Sequence, residues 1–439
     1  MSPVNLIASP VADRTPNEPV AESKASSRPL RLCVLSHPRY NEVAGHLPEY
    51  LATMVQEACS RGWSVNLLVP PKLCDYVEKA EEGRQTKLLL SPLWPTAHST
   101  GGAEPSVAQA RIKGWIATIR AYYVIAVKCD CDHLLIIDGD QNHTAFAIGL
   151  VALPLLRCGV STVVFGSLNG ITKNNDHSGQ SLKQKASLSV VRRFFRLKRF
   201  RGIITTNPAL ASSHQSLPEE TEKKIRYVKE IEPQWKTPLP MDQARSFLGI
   251  DRHWQVVLCY GALGADHKGL PQLFAAADHP DMSNVLILLV GSPNASTVEL
   301  LNSSVAERLK ANRQIQEMFG YASSERERAA FSASDAVWIG CPTHKGPSGV
   351  LEIARTAGVP IVASIGGVIG WTVEHEDLGS VTDVTDPNQT RLALTECFLR
   401  SKMRRTPPAI DGDPYHRTMQ HRGFGTRICD VIDAFENGS

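Results

Sequence analysis

The sequence lacks a strong imbalance of charge. Its 439 residues include 47 Lys and Arg against 44 Asp and Glu, which gives a formal net charge of +3. A chain that binds a polyanion over its whole surface is usually far more basic than this. We therefore do not expect a general polyanion-binding protein, and no nucleic-acid partner is predicted.

Long apolar runs are also missing. The longest, residues 145–156, contains Pro154 and is followed by Arg157, and it is too short to span a bilayer. Residues 1–29 are rich in Ser, Pro, Ala and Glu and contain no apolar region of the secretory type. We predict a disordered tail there, without a targeting signal.

The ten cysteines form no Cys-x-x-Cys pair. Cys33 and Cys259 lie inside apolar runs of strand type, and Cys129 and Cys131 are too close together for an unstrained disulfide. We expect buried thiols in a reducing compartment, which favours a cytoplasmic location. No spacing of the His-x-x-x-His kind is present either, so neither a metal nor a bound cofactor is predicted.

What the chain does contain is a repeated alternation of apolar runs and amphipathic segments, which is typical of an α/β, doubly wound parallel sheet. The first unit consists of a strand at 31–36, a helix at 51–61 closed by Gly62, and a strand at 64–69. It has no Gly-x-Gly-x-x-Gly motif, which disfavours a dinucleotide-binding dehydrogenase.

Two such domains are predicted. Repeated proline and charge near residues 230–245 indicate a linker. We therefore expect a first Rossmann-like domain at residues 30–235, a second at 236–400, and a C-terminal helical extension at 401–439. Apolar runs of strand type in the second domain lie at 256–260, 285–290, 315–321, 336–339 and 361–363.

Residues 331–376 form the most informative segment. A strand is followed by a glycine-bearing turn and a helix that starts near Ser348, Gly349 and Val350. Backbone N–H groups at a helix start point outward with the positive end of the helix dipole, which suits a phosphate. Glu352 lies one turn into this helix, where its carboxylate could accept hydrogen bonds from the two hydroxyls of a ribose.

This segment resembles the donor-binding half of GT-B glycosyltransferases, most closely the retaining group called family four. The resemblance implies two Rossmann-like domains that face a cleft. His344 stands where the family has an acid that contacts the transferred sugar, and it can still hydrogen-bond to that sugar. The family positions kept here are Ser348, Gly349, Glu352, Ala354, Gly358, Pro360, Ala363, Ser364, Gly366 and Gly367.

A second match lies upstream. Gly261, Lys268 and Gly269 have the family's Gly-x-Leu-x-x-x-x-Lys-Gly spacing, although Ala262 replaces the usual arginine. The resemblance implies that the Lys268 ammonium reaches the diphosphate of a nucleotide sugar and neutralises charge on the leaving group. Taken alone such a lysine is weak evidence, because a surface lysine after a turn gives the same pattern.

Gly320 and Tyr321 follow another predicted strand of the second domain. Open α/β sheets bind ligands at the carboxyl ends of their strands, and in the resembling family backbone groups near this position contact the base. The two residues are therefore donor-site candidates. Packing explains Tyr321 equally well.

In the first domain, Gly45, His46 and Tyr50 resemble the Gly-His-x-x-x-Tyr motif that follows the first strand of many GT-B enzymes. The resemblance implies that Gly45 admits the close approach of the donor phosphates. His46 and Tyr50 become acceptor-side candidates. A surface histidine bonded to the backbone explains His46 equally well.

Polar groups also follow the predicted strand at 134–137. Asp138 and Asp140 could bind acceptor hydroxyls, or one of them could act as a base if configuration is inverted. The alternative for Asp140 is a cap of the following helix.

Residues 181–200 are predicted to form a strongly basic helix. Residues 181–201 carry eight Lys and Arg, with no acid between Asp176 and Glu219. Phe194 and Phe195 lie among them. This mixture suits docking on an anionic membrane at the inner face. The alternative is a surface helix that buries its aromatic face on the domain.

The resemblance implies a hexosyltransferase of polysaccharide biosynthesis, acting with retention. Its co-substrate is a nucleotide diphosphate sugar and its acceptor a glycan, a lipid-linked saccharide or a small molecule. Catalytic candidates are His46, Lys268 and His344. Three alternatives stay open: a GT-B-fold sugar-nucleotide epimerase that uses Asp138 and Asp140, a noncatalytic nucleotide-sugar-binding protein, and a βαβ unit of some other α/β enzyme.

Overall fold

The protein contains two sheets of six parallel strands, each covered by helices. The computed structural model describes residues 28–36, 47–80, 107–139, 143–165, 182–208, 210, 224–231, 233, 235, 237–342, 346, 348–403 and 423–437. The strands of the first sheet are β1 (Arg31–Leu35), β2 (Ser64–Leu68), β3 (His133–Ile136), β4 (Gly159–Val164), β5 (Phe200–Thr205) and β6 (Ile225–Tyr227). Those of the second are β7 (Gln255–Leu263), β8 (Val285–Pro293), β9 (Ile315–Phe319), β10 (Ala336–Ile339), β11 (Ile361–Ser364) and β12 (Gly379–Thr382).

Helices connect the strands in both domains. Those of the first half are α1 (Leu47–Ser60), α2 (Pro71–Ala80), α3 (Val107–Val127), α4 (His143–Ala152) and α5 (Leu182–Phe195). Those of the second half are α6 (Met241–Leu248), α7 (Ala265–Lys268), α8 (Leu270–Ala277), α9 (Ala295–Leu301), α10 (Ser304–Ala311), α11 (Ser324–Ala333), α12 (Gly349–Ala357), α13 (Gly367–His375), α14 (Pro387–Met403) and α15 (Phe424–Asn437). Within the described residues no helix is long and apolar enough to cross a membrane.

Strand order shows that both sheets are doubly wound. The first sheet has the order β2-β1-β3-β4-β5-β6 and the second β12-β11-β10-β7-β8-β9, and all recorded strand pairs are parallel. Each sheet is buried on both faces, because separate apolar clusters pack above and below it. The predicted α/β, doubly wound class is confirmed.

Several predicted element boundaries differ from the structure. The basic helix was expected to run to Phe200, but α5 ends at Phe195 and a turn of four residues leads into β5. Phe200 instead opens that strand and stacks on Phe195, with ring centroids 4.6 Å apart. The helix ends early because burial of Phe200 in the sheet requires a change of direction.

The region between the domains also differs in part. Residues 230–245 were predicted as a linker, yet α6 begins at Met241, directly after Pro240. Pro240 has φ −55° and ψ 134°, an extended conformation that suits the residue before a helix. The helix packs against α11 and thus belongs to the second domain. Residues 1–27, which include most of the predicted tail, lie outside the described residues.

The last helix, α15, returns to the first domain and packs against α1. Arg61, just after α1, holds α15 in place through ion pairs. Its guanidinium lies 2.7 Å from Asp430, 2.9 Å from Asp433 and 2.8 Å from Glu57. These side chains are half-buried, so the three ion pairs are screened less than exposed ones. The first domain is therefore built from both ends of the chain.

Close packing of α15 on α1 gives a first testable prediction. A Cβ at Gly425 would overlap the carbonyl oxygen of Thr53, whereas a Cβ at Gly423 would meet no atom within 4 Å. We expect Gly425→Ala to lower the free energy of unfolding by about 1–3 kcal/mol, because the backbone of α1 cannot yield easily. Gly423→Ala is the matched control. Urea unfolding checks both variants, and equal midpoints would contradict this packing.

Candidate functional site

The strand order of the second sheet reverses between β7 and β10. Connections leave these two neighbouring strands in opposite directions, so a crevice remains at their carboxyl ends, which is where open α/β sheets bind ligands. Two segments border the crevice: the loop after β7 that leads to α7, and the loop after β10 that leads to α12.

The main chain at Lys268 is held against β10. The indole Nε1 of Trp338 donates a hydrogen bond of 2.7 Å to the carbonyl oxygen of Lys268. Gly269 has φ +62°, and a Cβ there would overlap the carbonyl oxygen of Gly340, so only glycine fits. Burial raises the pKa of the Cys341 thiol, and the nearby Lys268 ammonium opposes that rise. The ammonium is therefore within electrostatic range of Cys341, which follows β10.

The start of α12 borders the same crevice. Ser348 has the extended conformation of an N-cap residue, but its side chain makes no capping hydrogen bond. The first amides of the helix, at Gly349 and Val350, have no acceptor within the helix. Such a helix start provides donors and a positive partial charge for an anion.

Glu352 lies in a pocket between the two domains. The pocket measures about 300 Å³ including its open mouth, and its walls include Thr206 and Glu230 from the first domain and Ser348, Glu352 and Arg355 from the second. Lys268 is not among the lining residues. The structure thus brings Ser348 and Glu352 together in this pocket, and Lys268 lies outside its walls.

The carboxylate of Glu352 is oriented by Arg355. One guanidinium nitrogen of Arg355 lies 3.2 Å from Glu352, and another lies 2.6 Å from Glu376. Both Glu352 and Arg355 are largely buried. Arg355 therefore limits the positions that the Glu352 carboxylate can take in the pocket.

Tyr321 and Gly320 follow β9 at the mouth of the cleft. Tyr321 is 94% exposed, so its ring does not pack in the core. Burial raises the pKa of Tyr76 on α2, and the charges of Glu49 and Tyr321 raise it further. Tyr76 of the first domain therefore lies within electrostatic range of Tyr321 of the second. Gly261 lies within β7, paired with Gly291 of β8.

The first-domain candidates lie in different surroundings. Tyr50 is buried, and its ring stacks on Phe165 and Phe424 at centroid distances of 5.0 and 4.6 Å, so it contributes to the core. Asp138 follows β3, is 5% exposed and has φ +61°, a conformation that is rare for residues other than glycine. Gly45, His46, Asp140 and His344 lie outside the described residues.

Several solved structures have a similar architecture. HepE of Anabaena, solved with UDP-glucose, superposes with a TM-score of 0.59 at 14% identity over 92% of this chain and 99% of that one. The sucrose-phosphate synthase of Thermosynechococcus elongatus gives a TM-score of 0.58 at 15% identity over 93% and 95%. WaaG, a glycosyltransferase involved in lipopolysaccharide biosynthesis, gives 0.56 at 14% over 92% and 99%. The chain has the GT-B fold.

The GT-B architecture predicted from the sequence is thereby confirmed. Neither a protein-family profile nor a curated protein sequence matches this chain. Among the described residues, no group of three or more His, Cys, Asp or Glu side chains is arranged to hold a metal ion.

Glu230 is a residue of the GT-B cleft that the sequence analysis placed only in a linker. It follows β6, is 4% exposed, and its Oε1 has no hydrogen-bond partner. The pKa of Glu230 is raised to about 8, chiefly by burial and also by the negative charge of Glu352, while Arg427 on α15 opposes the rise. The Oγ1 of Thr206 in the same pocket also has no partner. The local sequence, rich in Lys, Glu and Pro, gave no sign of this burial.

The raised pKa of Glu230 makes the stability of the protein depend on pH. Between its ordinary value of 4.5 and about 8, the folded protein binds a proton that the unfolded chain has released. This contribution to stability is complete below pH 4.5 and is lost as the pH rises through 8. We expect the free energy of unfolding of the wild type to fall by about 1–2 kcal/mol between pH 6 and pH 8 from this group.

Glu230→Gln tests this assignment, because an amide keeps the shape of the carboxyl group without titrating. Thermal or urea unfolding at several pH values should show a flatter profile for this variant, with its gain over the wild type growing as the pH rises and levelling off above pH 8. Glu299→Gln, at an exposed position of α9, is the control and should leave the profile unchanged. Parallel profiles for wild type and Glu230→Gln would show that Glu230 is ionised in the folded protein.

Proposed function

We infer that the protein is a glycosyltransferase that moves a hexosyl unit from a nucleotide diphosphate sugar to a saccharide-type acceptor. The observation that carries this proposal is the position of Lys268 and of the start of α12 on the two sides of the crevice between β7 and β10. The binding of UDP and UDP-glucose by HepE, which has the same fold at 14% identity, supports it.

Each part of the proposed donor site has a separate task. The Lys268 ammonium and the amides at Gly349 and Val350 bind the diphosphate. Glu352, oriented by Arg355, accepts hydrogen bonds from the ribose hydroxyls. Tyr321 and Gly320 lie at the mouth of the cleft, beside the base. Positive charge near the diphosphate stabilises the leaving group in the transition state.

Transfer with retention needs no nucleophile from the protein. The acceptor hydroxyl attacks the anomeric carbon on the face that the diphosphate leaves. The bond from the anomeric carbon to the phosphate oxygen breaks, the new glycosidic bond forms, and the departing phosphate oxygen takes the acceptor proton. The candidate roles of His46 and His344 remain hydrogen bonding to phosphate and sugar. We place this reaction in the cytoplasm and in the synthesis of a polysaccharide or other glycan.

One observation favours a second candidate function. Asp138 is buried at the carboxyl end of β3 with a backbone conformation that costs free energy, and such conformations cluster at functional sites. A sugar-nucleotide epimerase needs carboxylates in the cleft for proton transfer. Incubation of the donor without an acceptor separates the two functions, because an epimerase converts the donor alone.

Donor binding tests the proposed site directly. UDP-, GDP- and ADP-sugars are first screened by thermal shift, since a ligand that binds only the folded protein raises its melting temperature. With the best donor, we expect Lys268→Ala to weaken binding by about 10- to 100-fold, because a hydrogen bond to a charged group contributes about 1.5–3 kcal/mol. Glu352→Gln should weaken it about tenfold, since the amide is a poorer acceptor. Titration calorimetry measures both.

Lys402→Ala, which removes an exposed ammonium at the end of α14, is the matched control and should bind the donor like the wild type. Circular dichroism establishes that every variant is folded. Wild-type affinity in both Lys268→Ala and Glu352→Gln would refute the assigned donor site. Binding of a donor without turnover across a panel of acceptors would instead favour a noncatalytic nucleotide-sugar-binding protein.

A further inference from the structure

The outer face of α3 carries an apolar stripe. Its six large apolar side chains are 44–62% exposed. At 100° per residue they fall within about one third of the helix circumference. They are Ile112, Trp115, Ile116, Ile119, Tyr123 and Val127.

The opposite side of α3 is buried. Ala117, Ala121, Tyr122 and Ile125 belong to the core cluster beneath one face of the first sheet. The helix is therefore apolar on both sides. A helix that is apolar all round is usually buried on all sides, in a core or in a membrane. Here only one side is covered within the described residues.

Two neighbouring helices extend this face. α3 packs beside α4, and α4 packs beside α5. Val151 and Leu155, at and just after the end of α4, are 77% and 78% exposed. The segments 107–127, 143–152 and 182–195, which form the three helices, contain no Asp or Glu. Asp130, which follows α3, is paired with Arg31.

Basic side chains accompany the apolar ones. Lys113 and Arg120 are exposed on one flank of the stripe, and Arg157 is exposed beyond α4. Arg192, Arg193, Arg196 and Lys198 are exposed on α5 and in the turn after it. The face thus combines exposed Trp, Tyr and Ile with a single sign of charge, a composition typical of surfaces that lie in a membrane interface.

The structure also corrects the source of the apolar contact. The sequence analysis considered the aromatic side chains among the basic residues 181–201 for membrane docking. These side chains are Phe194, Phe195 and Phe200, and all three are buried in the core. α5 therefore supplies charge to the surface, and α3 supplies the apolar side chains.

We propose that the outer face of α3, α4 and α5 docks on an anionic lipid bilayer. Trp115, Ile119 and Tyr123 enter the interface between headgroups and acyl chains, and the basic side chains approach the lipid phosphates. Charge decides between this occupant and a second copy of the chain, because two such faces would bring like charges together. Docking requires neither donor nor acceptor, so it stands or falls independently of the proposed activity.

Flotation with vesicles tests the proposal. The full chain is mixed with vesicles of 70% phosphatidylcholine and 30% phosphatidylglycerol, or of phosphatidylcholine alone. We expect binding to the anionic vesicles about tenfold or more tighter than to the neutral ones, and weaker at 0.5 M salt, because several basic groups contribute near the surface. The triple variant Trp115→Ser, Ile119→Ser, Tyr123→Ser should bind the anionic vesicles at least tenfold more weakly.

A matched triple variant removes exposed apolar side chains from the second domain: Phe247→Ser, Val298→Ser and Leu392→Ser. It should bind vesicles like the wild type. Unfolding curves ensure that both triple variants are folded. No binding of the wild type to anionic vesicles, or equal binding by the α3 variant, would overturn the proposal. A wild-type dimer that the α3 variant converts to a monomer, without vesicle binding, would assign the face to self-association instead.

Discussion

The reversal of strand order between β7 and β10 is the constraint on which the proposed donor site depends. It leaves the carboxyl ends of two adjacent strands uncovered, and it lets the segments after them approach each other. The indole of Trp338 in β10 hydrogen-bonds to the main chain of Lys268. It thus joins the segment after β7 to the strand that leads into the segment after β10. Because this contact is made through the main chain of Lys268, the side chain is free to point toward a ligand while its base is held. The rigid sheet, rather than the loops, sets the spacing.

The pocket between the domains adds a second element to this arrangement. Glu230 and Glu352 come from different domains and lie close enough for each charge to affect the other. Two ionised carboxylates in such a place repel, so the proton on Glu230 favours the observed apposition of the domains. The unpartnered oxygens of Glu230 and Thr206 are costly when buried without a ligand or water. Contact between the two domains is therefore polar, and it depends on the protonation of Glu230 and on any ligand or water in the pocket.

Most of the fold could be predicted from the sequence, because buried parallel strands appear as short apolar runs and helix ends carry glycine. β10, β11 and the end of α1 before Gly62 were predicted closely for this reason. Contacts between distant segments could not be predicted. The burial of Glu230 depends on α12 and α15, and the core position of Tyr50 depends on Phe424, some 370 residues later. Likewise, no local pattern shows which side of α3 the domain covers.

The position of α15 also bears on how the protein is made. Arg61 contacts Asp430 and Asp433, so a surface of the first domain is completed by a helix that follows the whole second sheet in the sequence. Synthesis on the ribosome proceeds from the N-terminus, and domains generally fold in that order. Here the first domain emerges before α15, so the surface of α1 that α15 covers stays exposed until residues 424–437 have left the ribosomal tunnel. During that interval the nascent chain presents apolar surface of the kind that chaperones cover.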